Sequence, residues 1–153
     1  MTNHQNIVVS EASRGDAGRI WEIRYHPLVN AVSGNQEMVD RASSEQWFIK
    51  KYFGGEDNKC FVLKHSGEIV GYCRFDTTHN GPYVISIALD PAFHGHGLGQ
   101  VLLSETLHTF GGNESFRAVI KKNNQPSLKL FQRNGFVVTA ESEDSFELTK
   151  ASN

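Results

Sequence analysis

The 153-residue chain has only two cysteines, Cys60 and Cys73. Both lie in apolar stretches read as strands, so reduced, half-buried thiols are expected in place of a disulfide or a metal site. Clustered cations are missing too: 15 Lys and Arg stand against 17 Asp and Glu, with a pI near 6.4. Lys121 and Lys122 form the one basic pair beside a motif and read as a solvated strand end ahead of a phosphate contact. A nucleic-acid partner is therefore not expected. No apolar run reaches the roughly 18 residues of a membrane-spanning helix, and the N-terminus shows no signal-peptide pattern. The expectation is a cytoplasmic protein with no membrane partner. No linker, repeat or low-complexity tract divides the chain, so residues 1–153 read as a single domain with a sizeable core.

Two common nucleotide-binding patterns are also lacking. The stretch His-Gly-His-Gly-Leu-Gly at 94–99 starts a Gly-x-Gly-x-x-Gly at Gly95 and Gly97, but Gln100 stands in its last position. Gly99 is followed by Gln100 and Val101, where a P-loop has Lys and then Ser or Thr. What is present is a glycine-rich turn between an apolar strand pattern, Tyr83 to Leu89, and a helical pattern, Leu98 to Phe110. Strand, turn and helix N-terminus together make an anion cradle. Backbone N–H groups converge there, and the helix dipole adds roughly half a positive charge. Glycine lets the backbone approach a phosphate without steric cost. His94, Gly95, His96, Gly97, Leu98, Gly99 and Gln100 are therefore candidate cofactor-binding residues. No third ligand joins His94 and His96 at a known spacing, so no metal is expected and both read as turn positions.

A second motif runs from Asn124 to Phe136. Asn124 suits a helix N-cap, Pro126 the first turn and Gly135 the stop. In this order and at this separation, the two motifs resemble the GNAT acyltransferase superfamily. Its usual signature is Gln/Arg-x-x-Gly-x-Gly/Ala, then Asn-x-x-Ala/Ser, then Tyr-x-x-x-Gly-Phe. Here His94 stands in the Gln/Arg position, Gly97 and Gly99 match, and Asn124 and Ser127 match. Phe131 takes the place of the tyrosine before Gly135 and Phe136. The resemblance implies an acetyl-CoA-dependent N-acetyltransferase. It implies main-chain contacts to the pantetheine arm from Ile87, Ala88 and Leu89, with Asn124, Ser127 and Phe131 on the cofactor side.

The rest of the chain reads as an alternating series. Ile7 to Val9 form a strand. Ser13 with Asp16, and Ser43 with Gln46, look like capping boxes for two helices, separated by an irregular stretch from His26 to Val39. Cys60 to Lys64 and Ile69 to Phe75 form a hairpin across Ser66 and Gly67. Strands follow at Tyr83, at Phe116 to Ile120, at Phe136 to Thr139 and at Ser145 to Leu148. This order predicts a mixed α/β fold, with a central mixed β-sheet flanked by helices on both faces. The nearly continuous apolar run Val84 to Leu89 suits a central strand covered on both sides.

Acyl transfer also needs proton management. Phe131 cannot donate a proton to the leaving thiolate, although thiols with pKa values near 8.5 can leave unprotonated. Tyr83 and Ser86 are the protic side chains on the central strand and the candidate catalytic residues, with Glu45 or Asp76 as the end of a water chain. The N-terminal third forms the acceptor side by resemblance, and it looks like the GNAT branch acting on amino sugars of nucleotide-sugars. Trp21, Arg24, Glu45 and Arg74 are the candidate substrate-binding residues. Arg24 and Arg74 suit an acidic or phosphorylated acceptor, or surface ion pairs. Trp21 and Trp47 read as helix-to-sheet core ahead of a stacking platform. The acceptor expected is a small-molecule amine, an amino sugar first and an amino acid second. The alternatives are a protein N-terminal or lysine acetyltransferase and a catalytically weak acyl-CoA sensor. A homodimer is compatible with the sequence.

Overall fold

A computed structural model describes residues 6–153. Among them, seven strands form one sheet in the order β1-β2-β3-β4-β5-β7-β6. The strands are β1 (Ile7–Glu11), β2 (Lys59–His65), β3 (Glu68–Asp76), β4 (Tyr83–Leu89), β5 (Phe116–Lys121), β6 (Val137–Glu141) and β7 (Ser145–Lys150). Neighbours pair antiparallel except β4 with β5, which run parallel. The β2–β3 turn places Ser66 and Gly67 at φ 50° and 85°. Two positive φ values in a tight hairpin match the right-handed twist of its strands.

Helices cover the sheet on both faces because each carries one apolar stripe. On one face lie α1 (Ala17–Arg24) and α3 (Arg41–Phe53). Ala17, Ile20 and Ile23 of α1, at intervals of three, pack with Phe48 and Tyr52 of α3 against Val62 and Tyr72. On the other face lie α4 (Leu98–His108) and α5 (Gln125–Arg133). Leu98, Leu102 and Leu103 join Leu130 and Phe131 over Phe75, Ile85 and Leu148. This is the mixed α/β arrangement the sequence predicts.

Four local expectations are corrected. Asp40, not Ser43, caps α3: its carboxylate accepts the Ser43 N–H at 3.0 Å, and the helix starts at Arg41. An aspartate three residues ahead satisfies the free helical N–H, so Ser43 falls inside the first turn. The stretch after His26 holds a one-turn helix, α2 (Pro27–Asn30), whose Leu28 N–H donates to His26 Nδ1 at 3.1 Å. The cysteines are free but buried, Cys73 on the α4 face and Cys60 on the α1 face. Burial pushes the Cys73 thiol up to about 12, against a lowering hydrogen bond with Thr106. Finally, only Ile85 of β4 is fully buried; its other residues are half-exposed. The strand is central, yet one of its edges is open.

Candidate functional site

That open edge begins two residues into β4. Tyr83 and Val84 pair with Phe116 and Arg117, and no later residue of β4 pairs with β5, which is engaged by β7 along its full length. The Tyr83 N–H points to β5, donating to the Ser115 carbonyl at 3.1 Å. The Asp90 N–H points the other way, to the Val70 carbonyl at 2.8 Å. Main-chain groups alternate along a strand, so those of Ile87 and Leu89 face the split between β4 and β5. Ala88 alternates toward β3, where it pairs with Tyr72.

At the end of β4 the chain turns through Pro91–Phe93 into the glycine stretch. Gly95 and Gly97 have φ of 80° and 75°, a region that L side chains rarely occupy. A Cβ built on either would meet nothing within 4 Å, so both border open space. Gly97 precedes α4, and the Val101 N–H bonds its carbonyl at 3.4 Å. The N–H groups of Leu98, Gly99 and Gln100 thus come before the first intrahelical partner. Residues 94–97 are exposed while the Leu98 side chain is buried, so Leu98 offers only its backbone. His94 Nε2 lies 3.0 Å from the Leu89 carbonyl. The Gln100 side chain is taken by Asn134, in paired hydrogen bonds of 3.2 and 2.9 Å.

The turn is anchored from the opposite face. Arg19 of α1 donates to Asp90 Oδ2 at 2.7 Å and to the Ile69 carbonyl at 2.9 Å. Burial pushes the Asp90 carboxyl up, but the Arg19 hydrogen bond, the Ala92 N–H and the Arg19 charge together hold it below its ordinary value. Sequence reasoning missed Arg19, Asp90 and Asn134; the Asp-Pro step after an apolar strand was the one signal available.

Helix α5 borders the same opening. Asn124 caps it, its side-chain oxygen accepting the Ser127 N–H at 3.4 Å, and both residues are half-exposed. At the far end, the Phe136 N–H bonds the Phe131 carbonyl at 3.1 Å and the Gly135 N–H bonds that of Gln132 at 3.2 Å, a Schellman stop. The Phe131 ring is 2% exposed and sits edge-on to Phe136 at 5.0 Å. It is a core residue in the same cluster as Leu98 and Leu130.

The α1/α3 face of the split gathers a different set of side chains. Ser86 pairs with Arg74 and Ala88 with Tyr72, so these four project from one face. Trp47 of α3 is 46% exposed, with the Arg74 guanidinium 5.3 Å and Lys51 Nζ 5.0 Å from its ring centroid. Asp76 is held by the Tyr52 hydroxyl at 2.5 Å and by Lys51 at 3.3 Å. Burial raises the Tyr52 and Tyr72 hydroxyls above their ordinary range, with Arg74 opposing. Arg24 donates to Asn30 Oδ1 at 2.9 Å and to the Asn35 carbonyl at 2.6 Å. Trp21 Nε1 donates to the Val39 carbonyl at 2.8 Å, and Glu45 accepts from Arg41 Nε at 2.9 Å. Tyr83 lies on the other face, its ring among Phe75, Phe110 and Phe116. The structure thus brings Arg74 and Ser86 together and separates Tyr83 from both. Among the described residues, no group of three or more His, Cys, Asp or Glu is placed to hold a metal ion.

The family model for the Acetyltransferase (GNAT) family matches residues 19–136, from Arg19 through the split strand and glycine turn to Phe136. The chain belongs to the GNAT acetyltransferase family. It is similar to the L-amino acid N-acyltransferase MnaT of Escherichia coli K12, with 31% identity over 140 residues covering 85% of this chain and 79% of that protein. It is also similar to a putative phosphinothricin acetyltransferase, YwnH, of Bacillus subtilis 168, with 31% identity covering 69% and 68% of the two chains. Its fold is that of yncA, a putative acetyltransferase from Salmonella typhimurium solved with acetyl-CoA: TM-score 0.82, 23% identity, covering 97% and 95% of the two chains.

As a GNAT enzyme the protein is an N-acetyltransferase with acetyl-CoA as its cosubstrate. Its residues fit that molecule on their own geometry. N–H groups without an intrahelical partner at the start of α4 lie beside two glycines whose missing side chains leave open space, which suits a diphosphate. The free edge of β4 offers amide donors and acceptors to an arm that carries amides of its own. When bound, acetyl-CoA supplies an acetyl group activated as a thioester. Among the described residues no helix is long and apolar enough to cross a membrane.

Proposed function

We propose that the chain, as one domain over residues 1–153, transfers the acetyl group to the primary amine of a small molecule of amino acid type in the cytoplasm. The observation that carries this reading is the dual role of β4: its free edge runs along the split, while Ser86 and Ala88 lie on the sheet face that carries Arg74, against which Trp47 rests. The activities for which MnaT and YwnH are named support an amino acid type ahead of the amino sugar expected first from sequence. In this reading the N–H groups of residues 95–100 hold the diphosphate, with His94 fixing the Leu89 carbonyl. The Ile87 and Leu89 main chains align the pantetheine arm, and Asn124 and Ser127 line its far side. The Ile87 N–H is an oxyanion-type donor in a fixed position.

Ser86 is a protic side chain on the acceptor face and relays the proton lost by the amine through water to solvent. Tyr83 acts by packing, three residues away and so on the opposite face. Phe131 has no proton to give, so the thiolate leaves unprotonated. Trp21, Arg24 and Glu45 shape the acceptor wall through their bonds to Val39, Asn30, Asn35 and Arg41. The test is release of free thiol from acetyl-CoA with a panel of L-amino acids, amino sugars and peptides. Turnover confined to the amino acids supports the reading; turnover confined to peptides contradicts it.

A further inference from the structure

Among the described residues, the α1/α3 face contains one arginine with a buried side-chain donor that no acceptor meets. The Arg74 Nε is buried, and no atom among the described residues accepts its proton. Two residues along β3, Asp76 is the obvious partner, yet it is committed to Tyr52 and Lys51. Arg24, on α1 of the same face, spends its guanidinium on Asn30 and Asn35. A buried N–H donor without an acceptor is costly, and nearly all such groups find a partner in the working molecule.

Position indicates where that partner comes from. Arg74 stands directly across the ladder from Ser86, on the face shared with Ala88. Trp47 lies against the guanidinium at 5.3 Å. An arginine held by an aromatic ring keeps its donor fork for planar, bidentate recognition of an anionic oxygen group. Trp47 itself is 46% exposed, so this corner is reached from solvent.

We infer that Arg74 is the specificity-determining residue for the acceptor, selecting amines that carry an anionic oxygen group. The inference rests on the acetyltransferase reading of the site and adds the chemistry that decides among amines. The anion completes the Nε hydrogen bond and neutralises the guanidinium, while the amine lies toward Ser86 and Ala88.

The test compares matched acceptors, each L-amino acid against its own carboxamide, and an aminophosphonate against its neutral diester, by thiol release. The wild type favours the charged member in kcat/KM by about tenfold to a hundredfold, the scale of one charge-assisted pair. In Arg74→Gln that ratio collapses toward one, and in Arg74→Lys, which keeps the charge but loses the fork, it falls between. Thermal melts of both variants separate recognition from folding, and the wild-type ratio stands even if neither variant folds. Equal use of acid and amide by the wild type overturns this inference and leaves the acetyltransferase reading intact. Release with neither member of any pair overturns both. A preference for phosphonate over carboxylate, each above its neutral partner, supports the inference and identifies the anion.

Discussion

Replacing Gly97 with valine strikes at the cofactor cradle without touching the core. Gly97 sits at φ 75°, ψ 8°, and its absent Cβ faces open space, so no clash opposes the substitution. The cost is conformational: the left-handed region costs an L residue about 1–2 kcal/mol, and a β-branched one sits at the upper end. The loop escapes that strain by rotating to negative φ, which turns the N–H groups ahead of α4 away from their common focus. Losing even one charge-assisted hydrogen bond of about 1.5–3 kcal/mol weakens coenzyme A binding by roughly tenfold to a hundredfold or more. Global stability falls little, by at most about 8 °C in Tm for 2 kcal/mol in a chain of this size. Gly97→Asn is the control, because asparagine tolerates the left-handed region; it is expected to bind coenzyme A within a few fold of wild type. Isothermal calorimetry with coenzyme A reads all three proteins. An unchanged Kd for Gly97→Val refutes the reasoning, since the cradle would then not depend on the backbone conformation at this turn.

Further tests address the supports of the site. Phe131→Tyr buries a hydroxyl where the wild-type ring is 2% exposed, so it is expected to lose about 1–3 kcal/mol in thermal melts; an unchanged Tm places the ring's far edge in the cofactor groove. Asp90→Asn weakens the Arg19 clamp and is expected to lower Tm by roughly 3–12 °C at neutral pH. The Asp90 carboxyl is held below its free value of 3.8 in the fold. Its stabilisation is therefore complete above that pH and drains as pH falls from there through the lower folded value, an acid-limb loss that Asp90→Asn lacks. Parallel acid titrations of the two proteins check this, and superposable curves contradict it.

The turn, cap and helix stop proposed to frame the cofactor were legible because their signals are local. The Gly95 and Gly97 turn, the Asn124 cap and the Gly135 stop each lie within one turn of the groups they organise. The acceptor half was not, because the state of Arg74 depends on where Asp76 goes, and that is decided by Lys51 and Tyr52 on another element. Trp47 read as core because it adjoins Phe48, yet the buried stripe of α3 runs through Phe48 and Tyr52 and turns Trp47 outward. The apolar run of β4 predicted a fully covered strand; hydrophobicity carries no record of where β5 diverges. The separation of Tyr83 from Ser86 was readable, since an odd offset in a strand puts two side chains on opposite faces.

The central claim is that the turn after β4 and the free edge of β4 together hold coenzyme A. A crystal structure with coenzyme A bound tests it directly. The account predicts diphosphate oxygens about 2.7–3.2 Å from main-chain nitrogens within residues 95–100, and the pantetheine amides bonded to Ile87 and Leu89. A molecule seated away from the β4–β5 split, with those nitrogens untouched, contradicts it.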